Sequence, residues 1–251
     1  MTTPIAAFLL LFVPVASLAT GAGAVHLRSP EVDVTDHASL QRGARLFVNY
    51  CLSCHSASYI RYSQMAKGLG LTEDQVQENL MFAADKVTEP MHVAMTPGDA
   101  KRWFGNPPPD LSVIARSRGA DWLYTYLLTF YRDDDPARPY GVNNLVFKDT
   151  GMPDVLWELR GIQDLPVHGE AAEAHGGGDT AVTQELELQT PGQRTPAEFS
   201  RDMRDLVNFL VFVGEPAQAK RHRVGLWVLG FLVLFFVVSY ALYREYWKDV
   251  H

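Results

Sequence analysis

Two uninterrupted apolar runs lie near the ends of the chain, and between them apolar residues recur at helical spacing in several separate stretches. Leu40, Ala44, Phe47, Val48 and Cys51 predict a first helix, opened by Asp36-His37-Ala38-Ser39. Gly43, one turn before Phe47, is small enough for another helix to cross closely there. Thr72-Glu73-Asp74-Gln75 has capping-box spacing and predicts a second, short helix to about Ala83. Five prolines between Lys86 and Asp110 (Pro90, Pro97, Pro107, Pro108 and Pro109) argue against regular structure in that span. Asp121 is placed to cap a third helix, Trp122 to Tyr131, with Trp122, Tyr126 and Leu127 on one face. Asp133 to Asn144 is turn-rich, and His168 to Gly192, with Gly176-Gly177-Gly178, reads as an exposed insertion. Thr195-Pro196-Ala197-Glu198 combines a capping box with proline at the first helical position. The helix it opens should reach about Val213, with Phe199, Met203, Leu206, Phe209 and Leu210 on one face, ended by Gly214 and Pro216.

The two end runs differ in kind. Ile5 to Leu18 is too short to span a bilayer comfortably, and the Ala22-x-Ala24 ending suits signal-peptidase cleavage before Val25. Residues 1–24 therefore read as a secretory signal, although Met1-Thr2-Thr3-Pro4 lacks the usual positive charge. A mitochondrial presequence is disfavoured, because no arginine precedes Arg28. Val224 to Tyr243 is twenty residues without a charge, and such a helix rises about 30 Å, the thickness of the hydrocarbon core. Trp227 near one end and Tyr240, Tyr243, Tyr246 and Trp247 near the other resemble interfacial aromatic belts. The expected organisation is a signal (1–24), an exported domain (25–223), a membrane anchor (224–243) and a cytoplasmic tail (244–251). Lys220-Arg221-His222-Arg223 before the span would, on a strict positive-inside count, place the domain in the cytoplasm. Long domains translocate largely regardless of such charges, so the export signal outweighs them.

The 29 acidic and 22 basic residues give a net charge of −7. Nucleic acid is thereby disfavoured as a partner, since phosphate binding needs a basic face. Acidic runs such as Asp133-Asp134-Asp135, or Glu170, Glu173 and Asp179, could steer a basic protein partner, though a solvated face is their ordinary role.

The chemistry concentrates at Cys51-Leu52-Ser53-Cys54-His55, which contains both cysteines of the chain. Two thiols two residues apart with a histidine directly after them is the spacing for covalent attachment of one c-type haem. Both thiols add to vinyl groups on one edge of the porphyrin, and the histidine then lies under the ring as proximal iron ligand. A thioredoxin-like thiol pair would need a βαβ context, and a zinc site a second ligand pair; neither is visible. The sixth iron position is open to Met65, Met81, Met91, Met95, Met152 or Met203. Met65, Met81 and Met203 fall on helical patterns, where packing is the ordinary role. Met91 and Met95 lie in irregular chain and stay in contention. Met152 is best placed, because Gly151 and Pro153 make and stiffen a loop able to lie against the ring. Thioether ligation would close the iron and favour electron transfer over catalysis. No nucleophile–base pair, phosphate loop or dinucleotide fingerprint is present.

Together these stretches resemble the cytochrome c1 family, the haem subunit of the ubiquinol–cytochrome c reductase (bc1) complex. The likeness runs from Gly43-Ala44-Arg45-Leu46-Phe47 into Cys51 to Ser56, then Pro108-Pro109-Asp110-Leu111-Ser112 with Arg116-Ser117-Arg118. It continues through Gly151-Met152-Pro153 and the helix from Thr195 that flows into the C-terminal span. The resemblance implies a mainly α, class I cytochrome c-like domain with long loop insertions and one C-terminal transmembrane helix. It implies Cys51 and Cys54 as attachment points, His55 and Met152 as iron ligands, Pro109 beside the haem and Arg118 near a propionate. Trp122 sits where the family often places an aromatic. It implies partners as well: cytochrome b, a Rieske iron–sulfur subunit as electron donor and a c-type cytochrome as acceptor, while the export signal and the haem motif place the domain on the periplasmic side of a bacterial inner membrane. By itself the subunit would relay electrons rather than catalyse. The alternatives are another membrane-anchored monohaem carrier, serving an oxidase or an alcohol dehydrogenase, and an open-iron haem enzyme such as a peroxidase. The Gly-rich stretch around His175 and the uncharged start of the signal depart from the family's pattern.

Overall fold

The computed structural model describes residues 25–166 and 186–249. The signal segment, His168, His175 and the triple glycine lie outside the described residues. The frame is a crossed pair of helices, α1 (His37–Leu46) and α8 (Pro196–Gly214). Asp36 caps α1 by accepting the Ser39 N–H, and Thr195 and Glu198 complete the expected capping box of α8 with Pro196 in the first turn. Gly43 stands at the crossing: a Cβ there would lie 2.1 Å from the Asp205 carbonyl oxygen. With no side chain in the way, Phe47 and Phe209 pack at 5.5 Å between ring centroids. Leu40, Met203 and Leu206 are buried beside them.

A buried polar knot registers the pair. The Asp205 carboxylate, 1% exposed, accepts from Ser39 Oγ at 2.7 Å and from Arg42 Nε and Nη2 at 2.5 and 3.1 Å. Asn208 donates to Ser39 Oγ and to the Asp33 carbonyl. A buried carboxylate is tolerated only with such partners, and they exist at a single helix register.

Around this frame lie α2 (Tyr62–Leu69), α3 (Glu73–Asn79), α4 (Pro97–Phe104), α5 (Ile114–Arg118), α6 (Ala120–Leu128) and the one-turn α7 (Trp157–Arg160). Three two-stranded antiparallel ribbons complete the described residues: β1 (Ala57–Arg61) with β2 (Pro90–Met91), β3 (Phe130–Arg132) with β4 (Val142–Asn144), and β5 (Gly161–Asp164) with β6 (Glu187–Pro191). The helix α9 (Gln218–Tyr246) is 29 residues long, with a mean hydropathy of 2.4 over its most apolar window, and none of its residues is buried in the chain. It is long and apolar enough to cross a membrane.

Four elements differ from expectation, each for a local reason. The second predicted helix stops at Asn79 rather than near Ala83, where Leu80 leaves the helical conformation (φ −133°) and Leu80 and Met81 turn into the core. The proline-rich span contains α4, since Pro97 sits at the start of a helix capped by Thr96, where a missing N–H costs nothing. The third predicted helix begins at Ala120 and ends at Leu128, with Asp121 inside its first turn and no side-chain cap. It stops there because Phe130–Arg132 leaves to pair as a strand. In the expected insertion, Glu187–Pro191 is exposed as anticipated but is a strand paired to Gly161–Asp164.

Candidate haem site

Helix α1 delivers the cysteine motif through a π-helical turn, Phe47–Cys51, closed by the Leu52 N–H to Phe47 carbonyl bond of 2.9 Å. The wider turn ends α1 and redirects the chain into the cysteine motif; such turns are frequent at functional sites. Phe47 and Val48 stay in the core, while Cys51, Cys54 and His55 are partly exposed. The two cysteines are not joined to each other. Burial pushes the Cys51 thiol up to about 12, with the neighbouring Cys54 adding to it. That direction is away from the readily formed thiolate that thiol exchange uses.

His55 is oriented from outside its own segment. Its Nδ1 lies 2.7 Å from the Pro109 carbonyl oxygen, which can only accept, so Nδ1 carries the hydrogen and Nε2 keeps its lone pair. Burial lowers the His55 pKa by more than the Pro109 carbonyl and Asp110 raise it, favouring the neutral, ligating form. A donor bond from the far nitrogen to a carbonyl is the arrangement that fixes ring and tautomer in metal-bound histidines.

Pro109 is held in turn by a seam between residues 56–59 and 110–112. The Leu111 N–H donates to the Ser56 carbonyl at 2.8 Å, and the Tyr59 N–H to Ser112 Oγ at 3.0 Å. Between them the Asp110 carboxylate accepts from Ser58 N–H (3.0 Å), Ser58 Oγ (2.5 Å) and Ser112 N–H (2.7 Å). Burial alone would raise the Asp110 pKa, but the bonds from Ser112 and Ser58 outweigh it and hold the carboxyl below its ordinary value. The Pro-Pro-Asp-Leu-Ser stretch is thus a clamp on the carbonyl that orients His55. The sequence displays this motif without its role; the Asp-x-Ser spacing of a local side-chain-to-backbone turn is the signal it carries.

Of the candidate methionines, Met65, Met91 and Met203 are fully buried and Met81 nearly so, packing in the core. Met95 and Met152 remain partly exposed. Met152 lies in the loop after β4, packed on the core edge, and the Tyr126 hydroxyl is 3.4 Å from its sulfur and 3.0 Å from Thr150 Oγ1. Tyr126 stacks on Trp122 with centroids 5.0 Å apart and planes 9° from parallel. Trp122 in turn carries the Arg118 guanidinium 5.0 Å from its ring centroid, and Phe147 lies 5.8 Å from the same guanidinium. Arg118 is exposed and forms no ion pair among the described residues. The cation is therefore placed by aromatic faces and keeps its hydrogen-bonding edge for an anion. Nothing in the sequence marks Tyr126 or Thr150 as a site residue.

These residues fit a haem: a free Nε2 on an oriented neutral imidazole, an unbridged thiol pair, a partly open thioether and an unpaired guanidinium. Half-buried Leu111, Ile114, Trp122 and Val155 add apolar surface at the core edge for a flat apolar ring. The model of the family described as "Cytochrome C1 family" matches residues 29–250. This chain belongs to the cytochrome c1 family. Cytochrome c1 of Allochromatium vinosum is 46% identical over 247 residues, 98% of each chain. A protein of Nitrosomonas europaea named ammonia monooxygenase gamma subunit is 42% identical over 90% of each chain. The mitochondrial cytochrome c1 haem protein of Neurospora crassa is 29% identical over 84% of this chain and 62% of its own. Cytochrome c1 membership brings haem c, electron transport and a place in a bc1 complex, and α9 is the C-terminal helix that accompanies them.

Proposed function

We propose that this chain takes one electron at a time from a Rieske iron–sulfur protein and passes it to a c-type cytochrome, within a quinol–cytochrome c reductase of a respiratory chain. Cys51 and Cys54 would hold a single haem covalently, His55 Nε2 and Met152 Sδ its iron, and Arg118 a propionate, with Pro109 beside the ring. The haem supplies a one-electron iron couple. The chain's own residues do the rest: the Asp110 seam keeps the Pro109 carbonyl on His55, and Tyr126 holds the Met152 sulfur. A thioether on the iron excludes small ligands, which favours relay over oxygen or peroxide chemistry. The observation that carries the reading is the 2.7 Å bond from His55 Nδ1 to the Pro109 carbonyl, because it prepares Nε2 for a metal. Anchored in lipid by α9, the domain would face the periplasm of a bacterial inner membrane, as the export signal and haem attachment require.

The test is the optical spectrum and reduction potential of the membrane protein beside those of Met152→Leu. Loss of the methionine–iron charge-transfer absorption, a lower potential and carbon monoxide binding to the reduced variant are expected. An unchanged spectrum and potential would remove Met152 as ligand. Co-purification with a cytochrome b and an iron–sulfur protein separates the bc1 assignment from another anchored carrier, and from the monooxygenase complex named for the N. europaea relative.

A further inference from the structure

Two residues beyond Met152 the chain buries an ion pair that the relay itself does not require. Asp154 Oδ2 accepts from Arg160 Nη2, and the two side chains are only 9% and 6% exposed. Asp154 Oδ1 also accepts the Leu156 N–H at 3.3 Å, so one carboxylate holds both ends of the short segment that includes α7. The Arg160 guanidinium lies 5.9 Å from the ring centroid of buried Phe199 on α8, the helix that crosses α1. Its Nε and Nη1 find no acceptor among the described residues. The group is thus committed to one carboxylate and one aromatic face.

Beside this segment the described residues leave open space. A cavity of about 390 Å³ lies against it, lined among others by Arg132, Tyr140, Pro153, Asp154, Trp157 and Arg160. Among the described residues this space is empty, so their packing does not oppose a shift of the loop into it. A buried ion pair adds little stability over apolar residues of the same volume, because desolvation offsets the attraction. What it does supply is direction: the carboxylate must sit where the guanidinium is. Pro153 has a fixed φ and transmits that position to Met152.

We propose that Arg160, acting through Asp154, is a positioning residue that latches the Met152 loop and keeps the thioether on the iron. The proposal rests on Met152 being the ligand. Breaking the pair removes what fixes the position of the Asp154 carboxylate, and the loop is then free to shift into the cavity beside it. Met152 then leaves with the loop.

The experiment uses the full-length haem-loaded protein in detergent, with Arg160→Gln, Asp154→Asn, the double variant of both, and Arg160→Lys. Read out are the methionine–iron charge-transfer absorption, carbon monoxide binding to the reduced protein, and the urea midpoint. Both single variants should lose most of the absorption and bind carbon monoxide at least tenfold more readily than the parent. The double variant should be no worse than either single one, because the two residues act as a unit, and Arg160→Lys should recover part of the absorption. A folded Arg160→Gln protein with parental absorption and a closed iron overturns the proposal. Should the singles not fold, the apolar pair Asp154→Leu with Arg160→Met keeps the volume filled; a closed iron in that protein overturns the proposal equally. Unchanged absorption in Met152→Leu instead overturns the ligand assignment beneath it, so the two failures are distinguishable.

Discussion

Replacing Gly43 with alanine tests whether the α1–α8 crossing governs the haem end of the molecule. The new Cβ would sit 2.1 Å from the Asp205 carbonyl oxygen, 2.7 Å from its carbon and 2.7 Å from the Phe209 Cβ. Ordinary contact begins near 3.4 Å, so the helices must part by more than 1 Å where they cross. The obstacle is mostly backbone and has no rotamer to yield. Parting the helices also loosens the Phe47–Phe209 contact and lengthens the bonds to Asp205. Overpacking usually costs about 1–3 kcal/mol; with a rigid obstacle and a shared polar knot, Gly43→Ala should cost about 3 kcal/mol or more. Gly68→Ala is the control. Its Cβ would fall 2.0 Å from the end of the Phe212 ring, a side chain able to swing aside, so about 1–2 kcal/mol is expected. The assay is urea denaturation of both variants and the parent in detergent, read by circular dichroism, with the spectrum recorded before denaturant is added. A Gly43→Ala loss below about 1 kcal/mol, or one no greater than that of Gly68→Ala, would refute the reasoning.

Two further outcomes are expected. Tyr126→Phe removes the hydroxyl from the Met152 sulfur; with Met152 on the iron as proposed, a donor there draws electron density from the thioether and favours the reduced state, so the variant's potential should fall. A hydrogen bond of about 1 kcal/mol, only partly different between the redox states, translates to about 20–40 mV, measured by redox titration; an unchanged or higher potential contradicts it. Asp110 has a folded pKa below its unfolded value, so its stabilisation is complete above the ordinary carboxylate pKa and is lost as pH falls through the depressed value. Asp110→Asn should therefore lower the melting temperature at neutral pH and flatten its decline below about pH 4. A parallel acid decline in variant and parent would show that Asp110 does not contribute it.

How much of this molecule is legible in its sequence depends on how local each signal is. The cap of α1, the capping boxes of α3 and α8, and the apolar face of α8 are each set within one or two turns, and each occurs at the predicted place. Gly43 can be read as a crossing point because a missing side chain has one obvious packing use. Thr96-Pro97-Gly98-Asp99 is equally local, but its proline counts as a breaker in a proline-rich span when its position makes it a starter. Strand pairing cannot be read: Gly161–Asp164 meets Glu187–Pro191 across an insertion, and nothing in either stretch names the other. The same holds for the site. His55 announces itself beside two cysteines, whereas the Pro109 carbonyl that orients it is 54 residues away and carries no side-chain signature. Asp133 shows the converse: a run of three aspartates looks like a charged face. Its first carboxylate is spent on Asn143 (2.8 Å) and Arg138 (3.0 Å), and Asp135 accepts the Ala137 N–H (2.9 Å) and lies 3.9 Å from the Arg138 guanidinium, which leaves Asp134 as the acid of the run with no bond among the described residues.

The two sides of the candidate haem site are built on different principles, and the difference has a functional consequence. On the His55 side, support comes from a seam in which main-chain groups take part in nearly every bond, running from Ser56 to Ser112 with Asp110 across it. Moving His55 means breaking several of these together. On the Met152 side, support comes from side chains reaching out of other elements: Tyr126 from α6, Arg160 from α7 and, behind it, Phe199 from α8. Each of these can be lost singly, and a cavity stands ready behind the loop. If the iron loses one ligand under heat, denaturant or mutation, Met152 should be the one to leave while His55 stays. Partly denatured protein should then bind carbon monoxide before helix content falls. Simultaneous loss of helix and iron closure would mean that the two sides are equally firm.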